Sequence, residues 1–307
     1  MKEARLAPYK ASKDDLILFS SIREYQVLTA RQLAAISGRS SQVIRRRLRS
    51  FEDSGLIIKK PFGYGRSQGR PEEVVLLSQR GIELLSTCEP SAAIPTSNAE
   101  IRSHVLDHEL LLNWFRIHLI EIERVIPCLS VKYLSARALS RSDKINRLRL
   151  PVKHDQNNLM TIIPDGIFAI LNKESGKALL FFVEVDMDSE VLVSKKRKTG
   201  TIHQKIISYH ELYRNGYYKN LEEVFKASFR GFRLLFLTST EARSASLCRL
   251  AHAFPNPSFI WLTNQAQMFE HGLAANIWVR GCKYDDPRQS ILGSSLAASS
   301  ALKPSIR

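Results

Sequence analysis

Apolar residues in the first part of the chain recur at helical spacing in three short runs. Leu16, Phe19 and Ile22, with Arg23 at the polar edge, mark a first helix opened by Asp14. Thr29 is placed to cap a second helix carrying Leu33 and Ile36, which Ser37-Gly38 ends. Ser40 caps a third over residues 41–53, where Val43, Ile44, Leu48 and Phe51 point inward and Gly55 stops the run. Two strands follow, at residues 56–60 and 72–77, around the Gly-rich loop 61–71. Three helices with a glycine turn, then a hairpin with a long tip, predict a winged helix-turn-helix over residues 14–85.

Residues 86–99, with two prolines and many small residues, read as a linker. Beyond it Val105, Leu112, Phe115, Leu119 and Ile122 predict a long helix over 101–123. Apolar runs at 159–171 and 178–185 predict two strands around an Asn172-Lys-Glu-Ser-Gly turn. Further elements are a helix near 202–213, strands at 232–238 and 258–262, and a helix near 241–253 between those two strands. The fold expected is α/β (α+β overall): a winged helix over 1–85, then an α/β domain with a mixed sheet over 100–284. Residues 285–307 read as a frayed tail.

Charge changes this picture most. The 307 residues carry a formal net charge of +15. Residues 1–80 hold 16 Lys and Arg against 8 Asp and Glu, so over half the excess sits in about a quarter of the chain. Such a surface gathers polyanions. On the third helix, Ser41, Gln42 and Arg45 are assigned to base edges, and Arg46, Arg47 and Arg49 to phosphates. In the loop, Arg66 and Arg70, beside Phe62 and Tyr64, suit a wing entering the minor groove. The expected partner is double-stranded DNA, with a homodimer as a further expectation. No run approaches 18 uninterrupted apolar residues, and residues 1–10 lack a signal-peptide core, so no membrane association is expected. Cys88, Cys128, Cys248 and Cys282 form no CxxC pair, which points to a reducing cytoplasm.

The second domain carries the candidate chemistry. A hairpin centred between Glu174 and Ser175 sets Asp165 opposite Glu184, and Asp186 shares the face of Glu184 because side chains alternate along a strand. Three carboxylates beside Ile167, Leu180 and Phe182 repel one another. A Mg²⁺ or Mn²⁺ ion held by Asp165 and Glu184 would relieve that repulsion and could activate water at a phosphodiester. Lys205 and Tyr209 share one face of the following helix, and Lys195, Lys196, Arg197 and Lys198 precede it as candidate phosphate contacts.

Pro164-Asp165 followed by Glu184-Val185-Asp186 resembles the PD-(D/E)xK nuclease core, also called restriction-endonuclease-like. Asp186 stands where that core has its lysine, and Lys205 is the candidate replacement. The resemblance implies Asp165, Glu184, Asp186 and Lys205 as catalytic residues. More broadly, the chain resembles the replication-relaxation family of bacterial mobile elements over most of residues 14–215. The resemblance rests on Leu77-Ser78-Gln79-Arg80-Gly81, His108-x-Leu110-x-x-Asn113, Pro164-Asp165-Gly166, Glu184-Val185-Asp186 and Lys205-x-x-x-Tyr209. Ser78 stands where threonine is expected. The family implies DNA association in the maintenance, replication or transfer of a plasmid or integrative element. Two functions follow: a DNA-binding accessory or regulatory protein with a degenerate nuclease-like domain, or a metal-dependent endonuclease or nickase targeted by the winged helix.

Overall fold

The computed structural model describes residues 9–62, 72–88, 103–136, 150–155, 158–188, 190–193 and 200–293. The chain divides into two compact units, Met1–Ile117 and His118–Arg307.

In the first unit the element order is α1 (Lys13–Tyr25), β1 (Leu28–Thr29), α2 (Ala30–Ser37), α3 (Ser41–Asp53), β2 (Ile57–Phe62), β3 (Glu72–Leu77) and α4 (Gln79–Cys88). The strands pair antiparallel in the order β1-β3-β2, so this unit is the expected winged helix. Each helix start is written into the sequence. Ser12, rather than Asp14, caps α1 and forms a capping box with Asp15. Thr29 forms the same box with Gln32 at α2, and Ser40 accepts the amide of Val43 at α3. Phe19, Ile22, Leu33, Ile44, Leu48 and Phe51 are buried together with Val27 and Val74. Val43 departs from its expected inward position and is 38% exposed. It lies one residue off the Ile44, Leu48, Phe51 stripe that faces the core.

The first unit runs on past residue 85, where the sequence reading ends it. α5 (Ser103–Val125) gives Leu106 and Leu110 to a buried cluster with Val27 and Val74. Buried Asn113 donates to the carbonyl of Val27 at 2.7 Å, and the Gln32 side chain donates to the Leu110 carbonyl at 2.8 Å. The linker expected at 86–99 is helical up to Cys88, and its remainder lies outside the described residues. The Leu77–Gly81 motif also has a structural task. Ser78 Oγ donates to the Gly55 carbonyl at 2.6 Å and accepts the Gly81 amide at 3.0 Å. Gly81 passes so close to Leu56 that a Cβ there would sit 2.1 Å from its carbonyl oxygen.

The second unit is built on a six-stranded mixed sheet, ordered β11-β10-β9-β8-β7-β4. Its strands are β4 (Leu129–Ser135), β7 (Gly166–Asn172), β8 (Ala178–Asp186), β9 (Phe232–Thr238), β10 (Ile260–Asn264) and β11 (Val279–Arg280). β8, β9 and β10 run parallel; the other neighbours are antiparallel. The single strand expected over 159–171 is two. Among the described residues β6 (Asn158–Ile162) pairs only with β5 (Leu150–Asp155), and Pro164, which has no amide hydrogen to give a ladder, stands before β7. Helices α6 (Ile202–Arg214) and α8 (Glu241–His252) cover one sheet face. There Leu180, Phe182, Ile206, Tyr209, Leu234, Phe236, Leu247 and Leu262 form one buried core. Two short helices complete the described set, α7 (Leu221–Phe225) and α9 (Gln265–His271). The tail expected from residue 285 is packed as far as Gly293: Ile291 and Leu292 are buried, and Gln289 pairs with Trp278. Residues 294–307 lie outside the described residues. No helix among the described residues is long and apolar enough to cross a membrane.

Candidate functional site

Two places gather the residues singled out from the sequence. The first is α3. Its buried positions, Ile44, Leu48 and Phe51, leave the opposite side to Gln42, Arg45, Arg46 and Arg49, which are spaced to form one exposed stripe. Ser41, at the first turn, is half-buried. No hydrogen bond or ion pair to a described residue occupies Arg45, Arg46 or Arg49.

Arg47 is different. Its guanidinium forks onto Asp15, Nε to Oδ1 and Nη2 to Oδ2, both at 2.7 Å, and Nη2 also reaches Ser12 Oγ at 3.3 Å. Asp15 is 1% exposed. Burial disfavours its charge, but hydrogen bonds from the Ser12 amide and from Arg47 outweigh that and hold its carboxyl below the usual aspartate value. Arg47 therefore ties α3 to the start of α1, a task that the phosphate contact expected of it did not include. Arg39 is likewise engaged, at 2.6 Å from Asp14. Arg66 and Arg70 lie outside the described residues.

The second place is the carboxyl end of β8 and its parallel neighbours, where loops leave for the covering helices. The β7–β8 register is the expected one. Gly166 pairs with Val183 and Ile167 with Phe182, which carries the hairpin toward Asp165 and Glu184 just beyond the ladder. Asp165 Oδ2 accepts the Val185 amide at 2.8 Å. Gly166 lets the Tyr133 hydroxyl pass, since a Cβ there would lie 2.1 Å from it. Glu184, 2% exposed, and Asp186, 3% exposed, both point to the face that α6 and α8 cover.

Helix α6 delivers the partners of Glu184. Thr201 caps it, so Lys205 and Tyr209 fall on successive turns of one face. Lys205 Nζ lies 3.0 Å from Glu184 Oε2 and 2.8 Å from Glu190 Oε1. The Tyr209 hydroxyl donates to Glu184 Oε1 at 2.5 Å. Burial is the largest influence on Glu184 and lifts its carboxyl to about 7; Lys205 works against that lift and Asp165 adds to it. Burial also disfavours charge on Lys205, but Glu184, Glu190 and Asp165 together hold its pKa above the ordinary lysine value. Burial and Glu184 push Tyr209 well above the usual tyrosine range, so it stays a hydrogen donor.

Asp186 turns to a residue that sequence reading missed. Arg243, whose amide is capped by Thr240 at the start of α8, reaches Asp186 Oδ2 at 2.7 Å and Oδ1 at 3.2 Å. It also pairs with Asp188 at 3.1 Å and donates to the Glu190 carbonyl at 2.5 Å. Lys195, Lys196, Arg197 and Lys198 lie outside the described residues.

The nuclease-like resemblance implies a divalent cation here. Such an ion needs several free oxygens, with room for its waters. Both oxygens of Glu184 are taken by Lys205 and Tyr209, both of Asp186 by Arg243, and Oδ2 of Asp165 by a backbone amide. Among the described residues, no three His, Cys, Asp or Glu side chains are grouped to hold a metal. As placed, the donor set does not fit the ion.

A family model described as Replication-relaxation matches residues 19–227. Among solved structures, the chain is similar to a MarR family transcriptional regulator from Silicibacter pomeroyi DSS, at 25% identity over 26% of this chain and 49% of that one, with a TM-score of 0.21. The chain thus matches about half the length of that regulator, and so low a TM-score carries no argument. No curated protein matches the chain significantly. The matched span contains the α3 stripe, the Ser78–Gly81 helix start, Asn113 and the whole of the Asp165, Glu184, Lys205 and Tyr209 group. With more than half its length under that family model, the chain belongs to the replication-relaxation family.

Proposed function

We propose that this chain binds double-stranded DNA through the exposed face of α3, in the replication, transfer or regulation of a plasmid or integrative element. The observation that carries the reading is the division of labour among the α3 arginines. Arg47 spends its guanidinium on a buried aspartate, whereas Arg45, Arg46 and Arg49 form with Gln42 one exposed stripe with no described partner. Long cations held on a rigid helix after a helix-turn-helix corner suit the DNA backbone and groove. Family membership and the excess of basic residues in the first 80 positions support the same reading. Arg66 and Arg70 complete it as wing contacts.

The endonuclease alternative has Glu184 and Lys205 together, but both oxygens of Glu184 are already filled by Lys205 and Tyr209, which favours the DNA-binding reading. Gel shifts with duplex DNA test the DNA-binding reading. The triple substitution Arg45→Ala, Arg46→Ala, Arg49→Ala is expected to weaken binding at least tenfold at moderate salt while leaving the circular dichroism spectrum unchanged. Equal affinity of wild type and triple variant would remove α3 from the account.

A further inference from the structure

The carboxylates at the end of β8 pose a question that the DNA-binding surface leaves untouched. Buried Glu184 and half-buried Glu190 meet at one ammonium, the charge of Asp165 acts on Glu184 as well, and a buried charge among like charges must be compensated or neutralised. We propose that the ammonium of Lys205 is the built-in cation of this group and fills the place where a divalent ion would otherwise sit. The inference is independent of the reading of α3.

Three observations carry it. First, Lys205 Nζ is within 3.0 Å of one oxygen of Glu184 and 2.8 Å of one of Glu190, and the charge of Asp165 acts on it as well. One ammonium therefore bridges two carboxylates, one from β8 and one from the segment beyond it. Second, Lys205 is fixed by its helix rather than by chance. The Thr201 cap sets the first turn of α6, Ile202 and Ile206 are fully buried on either side of Lys205, and Tyr209 one turn later occupies the other oxygen of Glu184. Third, Glu190 is held in place from behind. Arg243 takes its backbone carbonyl, while Glu190 Oε2 is buried with no hydrogen-bond partner among the described residues. Removing the ammonium would leave Glu184 Oε2 and Glu190 Oε1 without the cation they share, and carboxylate oxygens with waters are the ligands that Mg²⁺ takes.

Thermal melting in millimolar Mg²⁺, in Mn²⁺ and with a chelator tests the proposal on the full chain. The wild type is expected to melt at the same temperature in all three. Lys205→Met is expected to melt lower than wild type with chelator present and to gain about 3–6 °C from an ion at ten times its Kd. The pair Lys205→Met/Glu190→Gln leaves the net charge of the group unchanged. It provides a folded background for the same measurement if the single variant does not fold; there a smaller gain is expected, since one ligand has been neutralised. A rise in the wild type that Glu184→Gln abolishes would overturn the proposal, because the ion would then displace or join Lys205. So would the absence of any gain in the folded Lys205 variant.

Discussion

At the scale of single residues, the clearest lesson is that neighbouring arginines on one helix have opposite duties. Arg47 forks onto Asp15, and the pair holds α3 against the capped start of α1. Replacing Arg47 by Ala leaves a buried carboxylate without its cation. A fully buried pair would cost about 3–5 kcal/mol to break. Because the Arg47 side chain is 43% exposed, about 1–3 kcal/mol is expected, read as a lower midpoint in urea. Asp15 titrates below its ordinary value in the folded state. Its contribution is thus complete above the unfolded value of about 3.9 and is lost as the pH falls through the lower folded value. Wild type should therefore lose stability over that acid range more steeply than Asp15→Asn. The sequence alone could not separate Arg47 from Arg45, Arg46 and Arg49. All four lie in one basic run, and the partner of Arg47 is thirty-two residues earlier. Arg243 was illegible for the same reason: it meets Asp186 across fifty-seven residues, a separation over which no local pattern speaks.

Elements were more legible where a local rule fixed them. Thr29 and Ser40 cap their helices as read, and the turn after Asn172 set the register of β7 on β8 correctly, because hairpin pairing follows from where the turn is centred. Lys205 and Tyr209 met Glu184 because a helix brings residues four apart onto one face. Legibility ended where packing decides. The periodicity of α5 predicted a helix but gave no sign that Leu106, Leu110 and Asn113 complete the first unit. A fragment ending at residue 90 would expose Val27 and Val74 and leave the Val27 carbonyl without its Asn113 donor. A fragment of residues 1–117 is accordingly expected to unfold cooperatively, and one of residues 1–90 to melt at least 10 °C lower or to show no transition. Circular dichroism melts of the two compare them directly; equal stability would restore the boundary at residue 85.

For the whole molecule, the formal charge of +15 acts as a field as well as a set of contacts. A field alone would give binding that any distant lysine could support. A reading surface on α3 gives a loss confined to that helix. Family membership and charge are shared by both accounts, so affinity at one salt concentration does not separate them fully. The salt dependence of duplex binding does. Each phosphate contact contributes about 0.9 to the slope of log affinity against log salt. Fluorescence anisotropy with a labelled duplex, titrated at several salt concentrations, should therefore give a slope for Arg45→Ala/Arg46→Ala/Arg49→Ala that is shallower than wild type by about 2–3. Affinity should fall in parallel, whereas Arg47→Ala, measured where it remains folded, should keep the wild-type slope. A triple variant whose slope and affinity both match wild type would contradict the account.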